Sequence, residues 1–229
     1  MATTRSYGDA CALARALDVV GERWALLIVR ELLFGPQRFS DLRGALANAS
    51  SNLIADRLRE LEGRGVIRRR KLPPPAGSSV YELTDWGRRL EPILLALGQW
   101  GAIVPLPSEA TLSASSVMLF LRGTVHPQPE TSSTVYGLQL DDRMWTVRTV
   151  DGEIDVQYGE ADDADVVLRT DPQMLNALLN EPHALDAALA DATVIVEGDV
   201  SALRELLRAA LGQLPLPKAA STIACAAGP

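Results

Sequence analysis

The clearest chemical signal in the sequence is a run of four consecutive basic side chains, Arg68, Arg69, Arg70 and Lys71. Cations at this density neutralise several phosphates of a nucleic acid backbone, and the resulting affinity depends on salt rather than on base sequence. The alternative is an edge strand protected by charge, but that explains one or two cations better than four in a row. The run therefore predicts contacts with DNA phosphates.

A second group of polar residues lies just before this run, in a segment with helical periodicity. Ile54, Leu58 and Leu61 recur at i, i+4 and i+7, which predicts a helix over 51–62 with one buried face. The small and polar side chains fall on the rest of the helix surface, and the candidates for DNA contact are Ser51, Asn52, Ala55, Asp56, Arg57 and Arg59. Asparagine can read adenine in the major groove, and arginine can read guanine or hold a phosphate. A solvated face of an ordinary helix is the alternative for these residues taken alone.

The surrounding segments predict the framework that positions these two groups. Helices, the last two joined by a tight turn, are expected over 9–20, 22–34, 39–46 and 51–62. Two helices joined by a short turn, the second with a small polar start, are typical of a helix-turn-helix. The strands 66–72 and 80–83 follow as a β-hairpin in the position of a wing.

One more helix is expected after the hairpin, with Thr84 as its N-cap and a kink at Pro92. Its broad apolar stripe consists of Trp86, Leu90, Ile93, Leu94, Leu97 and Trp100. A stripe of this size packs either against a partner chain or against the core of its own chain, and the sequence leaves both alternatives open.

Residues 11–103 resemble the HxlR family of winged helix-turn-helix regulators. The residues that carry the resemblance are Cys11, the segments 17–24, 30–42 and 52–62, and the run Tyr81-Glu82-Leu83-Thr84. The resemblance implies a homodimer built from the terminal helices of this unit, with two recognition helices that read a pseudo-palindromic site on double-stranded DNA.

Cys11 is a candidate redox sensor, because some HxlR-family members sense oxidants through a cysteine near this position. A thiol at a helix N-terminus has a lowered pKa and is more reactive, although the nearby Asp9 opposes this effect. A small apolar residue at the start of a helix is the alternative interpretation.

The second half of the chain differs from the first in charge and in pattern. Residues 1–104 carry 15 basic and 11 acidic side chains, whereas residues 105–229 carry 7 basic and 18 acidic ones. Because an acidic surface is repelled by DNA, the two halves predict different partners. Strands are expected over 117–121, 134–140, 143–150, 153–157, 165–170 and 193–197, with helices after Asp171, over 182–189 and around Leu203, Leu206, Leu207 and Leu211.

Most of 110–212 resembles a sterol-carrier-protein type-two-like domain. The segments that carry this resemblance are 165–171 and 195–203, together with the paired helices between them. It implies a sheet covered by helices around an apolar tunnel that takes lipids or similar hydrophobic molecules. Candidate lining residues are Met118, Phe120, Met144, Trp145 and Met174, for which ordinary core packing is the alternative.

Other classes of function find little support in the sequence. His126 and His183 are isolated, Asp162, Asp163 and Asp165 fit a solvated turn, and neither a glycine-rich phosphate loop nor a nucleophile elbow occurs. We therefore expect no enzyme, no cofactor and no metal site. The two cysteines, Cys11 and Cys225, give no disulfide framework. With no apolar run of about 18 residues and no apolar segment after the N-terminus, we expect a cytoplasmic protein without a membrane span.

The sequence thus predicts an α+β chain with a winged helix-turn-helix domain at 1–104, a linker at 105–109, a sterol-carrier-like domain at 110–214 and a tail at 215–229. The main hypothesis is a dimeric DNA-binding regulator that responds to a hydrophobic small molecule bound by the second domain. One alternative is a redox regulator that senses through Cys11, with a structural second domain. Another is a hydrophobic-molecule carrier or enzyme that uses the winged helix only for dimerisation.

Overall fold

The computed structural model describes residues 6–73, 77–102, 104, 111–125 and 133–210. The predicted linker at 105–109, the tail at 215–229 and Leu211 lie outside these residues. Within them the chain is a mixture of helices and strands, as the α+β prediction requires.

The described part of the first half contains helices around a small sheet. In chain order the elements are α1 (Ala12–Val20), α2 (Ala25–Leu32), β1 (Gln37–Arg38), α3 (Phe39–Ala45), α4 (Ser51–Gly63), β2 (Ile67–Lys71), β3 (Ser79–Leu83), α5 (Asp85–Arg88) and α6 (Glu91–Gly101). The strands pair antiparallel in the order β1-β3-β2, so β2 and β3 form the hairpin expected directly after α4.

The described part of the second half is a five-stranded sheet with helices. Its elements are α7 (Ala114–Thr124), β4 (Thr134–Leu140), β5 (Arg143–Val150), β6 (Glu153–Tyr158), β7 (Val166–Thr170), α8 (Pro172–Asn180), a 3-10 turn (Pro182–Ala184), α9 (Leu185–Ala190), β8 (Ile195–Gly198) and α10 (Val200–Ala210). The strand order is β6-β5-β4-β7-β8, and the pairing is antiparallel except between β4 and β7.

Several element boundaries follow from local side-chain chemistry. Ser50, Thr84 and Asp171 each accept a hydrogen bond from a backbone N–H in the first turn of the following helix, at 3.3, 3.1 and 2.8 Å. These bonds satisfy donors that a helix start leaves unpaired. The caps predicted at all three positions are therefore confirmed.

Two predicted elements are wrong. The strand expected at 117–121 is part of helix α7, whose start Ser113 caps by accepting from the N–H of Ser116. The single kinked helix after the wing is two helices, α5 and α6, and Pro92 lies in the first turn of α6. A proline there lacks only an N–H that has no helical partner, so it begins a new helix at no cost in hydrogen bonds.

The two halves share one hydrophobic core. Helix α2 contributes Ile28, Val29 and Leu32, each at most 1% exposed, and the same contiguous cluster includes Met118 of α7 and Trp145 of β5. Helix α7 packs against α2, α6, α8 and β6, so it lies where the helix-turn-helix half meets the sheet.

Candidate nucleic-acid interface and domain junction

Helix α4 presents the polar surface predicted for a recognition helix. Ile54, Leu58 and Leu61 are at most 1% exposed and anchor the helix on the core. Ser51, Asn52 and the Arg59 side chain are exposed, whereas Ala55 and Asp56 are half-buried. Asp56 forms an ion pair with Arg59 one turn on, which holds the guanidinium close to the helix surface.

Arg57 differs from the other candidates on this helix. Its side chain is only 13% exposed, and it forms ion pairs with Glu60 of the same helix and with Glu22, which lies between α1 and α2. A DNA contact by Arg57 stays a prediction, but its visible contacts are those of a side chain that holds α4 against the start of α2.

The four basic residues of the wing divide between the two faces of β2. Strand residues alternate between faces, and across the hairpin Arg68 lies opposite Glu82 while Arg69 lies opposite Tyr81. The Arg69 guanidinium sits 5.9 Å from the centre of the Tyr81 ring. Arg68 and Arg70 therefore lie on one face of β2, and Arg69 and Lys71 lie on the other. The four cations cannot all face the same DNA phosphates.

Glu82 forms a wing cluster with Arg68 and Arg70, whose Nε atoms donate to its carboxylate at 2.7 and 3.1 Å. Burial of this carboxyl by itself raises its pKa, but the hydrogen bonds and charges of the two arginines outweigh burial and hold the pKa of Glu82 below its usual value. The two arginine side chains remain 64% and 45% exposed. They can therefore reach another anion while they neutralise Glu82.

Helices α1 and α6 leave large apolar side chains uncovered. Helix α1 has no buried residue, and its Leu13 and Leu17 are 67% and 40% exposed. On α6 and just after it, the exposed residues Ile93, Leu97, Trp100 and Val104 follow one another at intervals of four, three and four. This is the spacing of the seam in a coiled coil.

Cys11 lies at the N-cap position of α1 and is exposed. The backbone N–H groups of Ala14 and Leu13, which point out of the start of the helix, lower the pKa of the Cys11 thiol. Its own N–H donates to the Asp9 carboxylate at 2.9 Å.

The five candidate ligand-lining residues occupy different environments. Met118 and Trp145 are fully buried, and the Trp145 ring contacts the rings of Phe34 at 5.1 Å and Tyr158 at 4.0 Å between centroids. Phe120, Met144 and Met174 are half-buried. Within the described residues the Trp145 Nε1–H is buried without a hydrogen-bond partner. The structure thus makes two of the five part of the packed core.

The junction between the halves contains a buried polar cluster that the sequence did not reveal. Glu31 of α2 is 1% exposed and accepts hydrogen bonds from Arg30, from Ser115 of α7 and from Tyr158 of β6. The Arg143 guanidinium of β5 lies 4.0 Å from the same carboxylate and donates to the backbone carbonyl of Asp41 at 3.1 Å. We call these residues the junction cluster.

The signal for this cluster was Glu31 itself, an acid near the C-terminal end of a helix whose other residues, apart from Arg30, are apolar. Carboxylates are almost never fully buried unless they are paired. Burial and the charge of Glu31 raise the pKa of Tyr158, so the phenol stays neutral and acts as a donor.

No helix in the described part of the chain is long and apolar enough to cross a membrane. Among the same residues, no group of three or more histidines, cysteines and acids is arranged to hold a metal ion.

Comparison with known proteins gives each half a family. A model of the HxlR-like helix-turn-helix family matches residues 19–106, and a model of the SCP-2 sterol transfer family matches 128–210. The HTH-type transcriptional regulator YvaP of Bacillus subtilis is 43% identical over 86 residues, which is 38% of this chain and 80% of YvaP. The chain belongs to the HxlR-like family of helix-turn-helix transcriptional regulators.

Two further matches cover a similar share of this chain. The HTH-type transcriptional regulator YdeP of Bacillus subtilis is 33% identical over 96 residues, or 41% of this chain and 73% of YdeP. The solved structure of the redox regulator HypR in its oxidized form is 31% identical, with a TM-score of 0.39, over 42% of this chain and all of that chain. Both resemblances stated from the sequence, to the HxlR and sterol-carrier families, are confirmed.

The HxlR-like and SCP-2 matches leave the connecting segment between them unassigned. Residues 107–127 belong to neither match, and they include the whole of helix α7. Helix α7 supplies Ser115 to the junction cluster and packs on both halves. In this HxlR-like protein a helix outside both family matches therefore contacts both halves.

Proposed function

We propose that this protein is a dimeric DNA-binding transcription regulator whose affinity for its operator responds to a hydrophobic small molecule bound by the C-terminal half. The observation that carries the DNA-binding part is the exposed polar start of α4 beside a wing with four cations. Asn52 in the first turn of α4 is the leading candidate for a base contact, because the N-terminal residues of a recognition helix enter the major groove, and the exposed Arg59 two turns on is the second candidate. The wing supplies the phosphate contacts that position the helix.

The dimer is supported by the uncovered apolar seam of α6. Ile93, Leu97 and Trp100 are 54%, 46% and 69% exposed, and exposed apolar patches of this kind mark interaction sites. A second copy related by a two-fold axis presents the same seam, so the two can pack on each other. Leu13 and Leu17 of α1 are exposed as well and offer further apolar surface for a dimer contact.

The response to a small molecule is supported by the SCP-2 match and by the shared core. An effector shifts DNA binding only if it binds the DNA-competent and incompetent states with different affinity. Since α2 of the DNA-binding half packs on α7, and its Glu31 accepts a hydrogen bond from Tyr158 of β6, a change in the C-terminal half can reach the recognition unit through contacting side chains.

The test is selection of bound fragments from a random duplex library, followed by titration of the selected DNA. We expect Asn52→Ala and Arg59→Ala to lose discrimination between selected and scrambled DNA, by about 1–3 kcal/mol for each direct base contact. The matched control is Arg208→Ala, an exposed arginine on α10 in the acidic half. A wild-type protein that selects no sequence would favour the carrier or enzyme alternative, in which the winged helix serves only for dimerisation.

Redox sensing through Cys11 is a second candidate function, favoured by the exposure of the thiol and its lowered pKa. We expect an oxidant to change the affinity of wild-type protein for the selected DNA and to leave Cys11→Ser unaffected. If the serine variant responds like the wild type, Cys11 is not the sensor.

A further inference from the structure

A groove with an apolar lining runs between α2, α6 and α7, where the two halves of the chain meet. Its volume is about 430 Å³, and its walls include Leu26, Leu94, Leu97, Val117 and Phe120. That volume is within the usual range for sites that bind small molecules, about 300–1,000 Å³. We call it the junction groove.

Among the described residues that line this groove, Arg30 is the one charged side chain. Arg30 and Ser116 line the junction groove and also a second, polar recess of about 540 Å³ on the side of Arg143, so they lie where the two cavities adjoin. Asp141 and Asp142 line the recess beyond Arg143 and do not border the groove.

The Arg30 guanidinium keeps hydrogen-bonding capacity for a ligand. It has five N–H donors, of which Nε and Nη2 bind Glu31 and Nη1 binds Ser116 at 2.9 Å. These contacts occupy three of the five. The single carboxylate of Glu31 is shared between Arg30 and Arg143, so these three side chains carry a net charge of one positive unit.

We propose that the junction groove binds a small amphipathic carboxylic acid, with its apolar body against α6 and α7 and its carboxylate at Arg30. An apolar channel that leads to a partly desolvated arginine matches both ends of such a molecule, because an arginine pairs with a carboxylate through two parallel hydrogen bonds. This inference rests on the proposed response to a small molecule and revises where that molecule binds, which becomes the boundary between the two halves rather than the C-terminal half alone.

The position of the groove allows a bound acid to affect DNA binding directly. Leu97 belongs both to the groove wall and to the exposed seam of α6, and Leu26 belongs to α2 of the DNA-binding half. A bound acid therefore contacts the helix proposed for dimerisation and the core helix of the winged unit at once. Its occupancy changes the angle at which the two recognition helices meet the DNA.

Two glycines of α6 provide a matched pair of variants. Gly98 lines the junction groove and Gly101 does not. A Cβ added at either glycine meets no atom within 4 Å. Neither glycine has a positive φ, so the backbone accommodates leucine at both positions. Only Gly98→Leu places a side chain in the groove.

The experiment measures binding of dodecanoate and of 1-dodecanol, below their aggregation concentrations, to the full chain by calorimetry. We expect dodecanoate to bind at least about tenfold more tightly than the alcohol, as removal of a charge-assisted hydrogen bond implies. Gly98→Leu should weaken dodecanoate by at least tenfold, and Gly101→Leu by less than about twofold.

Each alternative outcome overturns the inference in its own way. If dodecanoate and 1-dodecanol bind with equal affinity, Arg30 does not bind the carboxylate. If dodecanoate binds Gly98→Leu as tightly as the wild type, it binds outside the junction groove, such as within the C-terminal sheet. Absence of dodecanoate binding to the wild type rejects the site. If Gly98→Leu dissociates the dimer in sedimentation and leaves acid binding intact, a second copy fills the groove. Titration of selected DNA in the same samples separates these results from failure of the proposed function, which would leave DNA affinity insensitive to a bound acid.

Discussion

Two clusters in this molecule each join a buried glutamate to two arginines, and they differ in how far the arginines are exposed. The wing cluster and the junction cluster each join two arginines to one glutamate, but the glutamate is 8% exposed in the first and 1% in the second. The arginines of the wing are 64% and 45% exposed, and those of the junction are 15% and 26% exposed.

This difference in burial changes what the charges can do. A surface ion pair contributes little to stability, typically about 0–1 kcal/mol, and its members are free to contact a new anion. A buried pair is costly to break, because the remaining charge is left without a partner in a poorly solvated site. The wing cluster is therefore suited to DNA phosphates, and the junction cluster fixes one half of the chain against the other.

The largest effect is expected on removal of the junction carboxylate. Glu31→Ala leaves Arg30 and Arg143 without their shared acid and should lower the free energy of unfolding by about 3–5 kcal/mol. Urea unfolding followed by circular dichroism measures this change. The matched variant Glu82→Ala should lower the free energy of unfolding far less. Equal losses in the two variants would contradict the proposed difference between the wing cluster and the junction cluster.

A smaller loss of stability is expected when the Arg143 side chain is removed from the junction cluster. Arg143→Ala loses the hydrogen bond to the Asp41 carbonyl and the contact with the Tyr158 ring, and it should cost about 1–3 kcal/mol. Arg148→Ala on the same strand is the control, because Arg148 pairs with Asp163 in solvent. We expect unfolding of the control to match the wild type within error. Hydrogen exchange should show increased opening of α7 in Arg143→Ala alone.

The clusters also show which features a sequence can predict. The caps at Ser50, Thr84 and Asp171 were predictable because the donor and acceptor lie within three residues of each other. The junction cluster was not, since Glu31 meets its partners across 84 residues to Ser115 and 127 to Tyr158. Only the tertiary fold brings these groups together.

The wrong strand prediction at α7 and the correct one at the wing differ in how much the local pattern decides. The segment 117–121 is a short apolar run, and such a run does not by itself distinguish a strand from a buried helix. The cap at Ser113 was the local signal that would have decided it. At the wing the strand pattern predicts β2, and strand alternation places Arg68 and Arg70 on one face and Arg69 and Lys71 on the other. The hairpin register separates Arg69 from Arg68 and Arg70.

Substitution of Arg69 in the wing is expected to change the affinity for DNA and to leave the free energy of unfolding unchanged. Arg69 has no carboxylate partner among the described residues, and it rests against the Tyr81 ring. Arg69→Ala should reduce the dependence of the logarithm of DNA affinity on the logarithm of salt by about one unit, the slope of one phosphate contact. Fluorescence anisotropy at several salt concentrations measures this slope. An unchanged slope would assign phosphate binding to the other face of the strand.

The smallest expected effect concerns pH and the wing glutamate. Because the pKa of Glu82 is lower in the folded than in the unfolded chain, its pairing stabilises the fold above the ordinary value of 4.5. That contribution is lost as the pH falls through the lower, folded-state pKa. The difference in unfolding free energy between wild type and Glu82→Gln should therefore shrink from pH 7 to below 4.5, as urea titrations at each pH can measure. A difference that grows on acidification would mean that the two arginines do not hold the carboxylate ionised, and the wing would then lack the electrostatic balance that leaves its arginines available to phosphate.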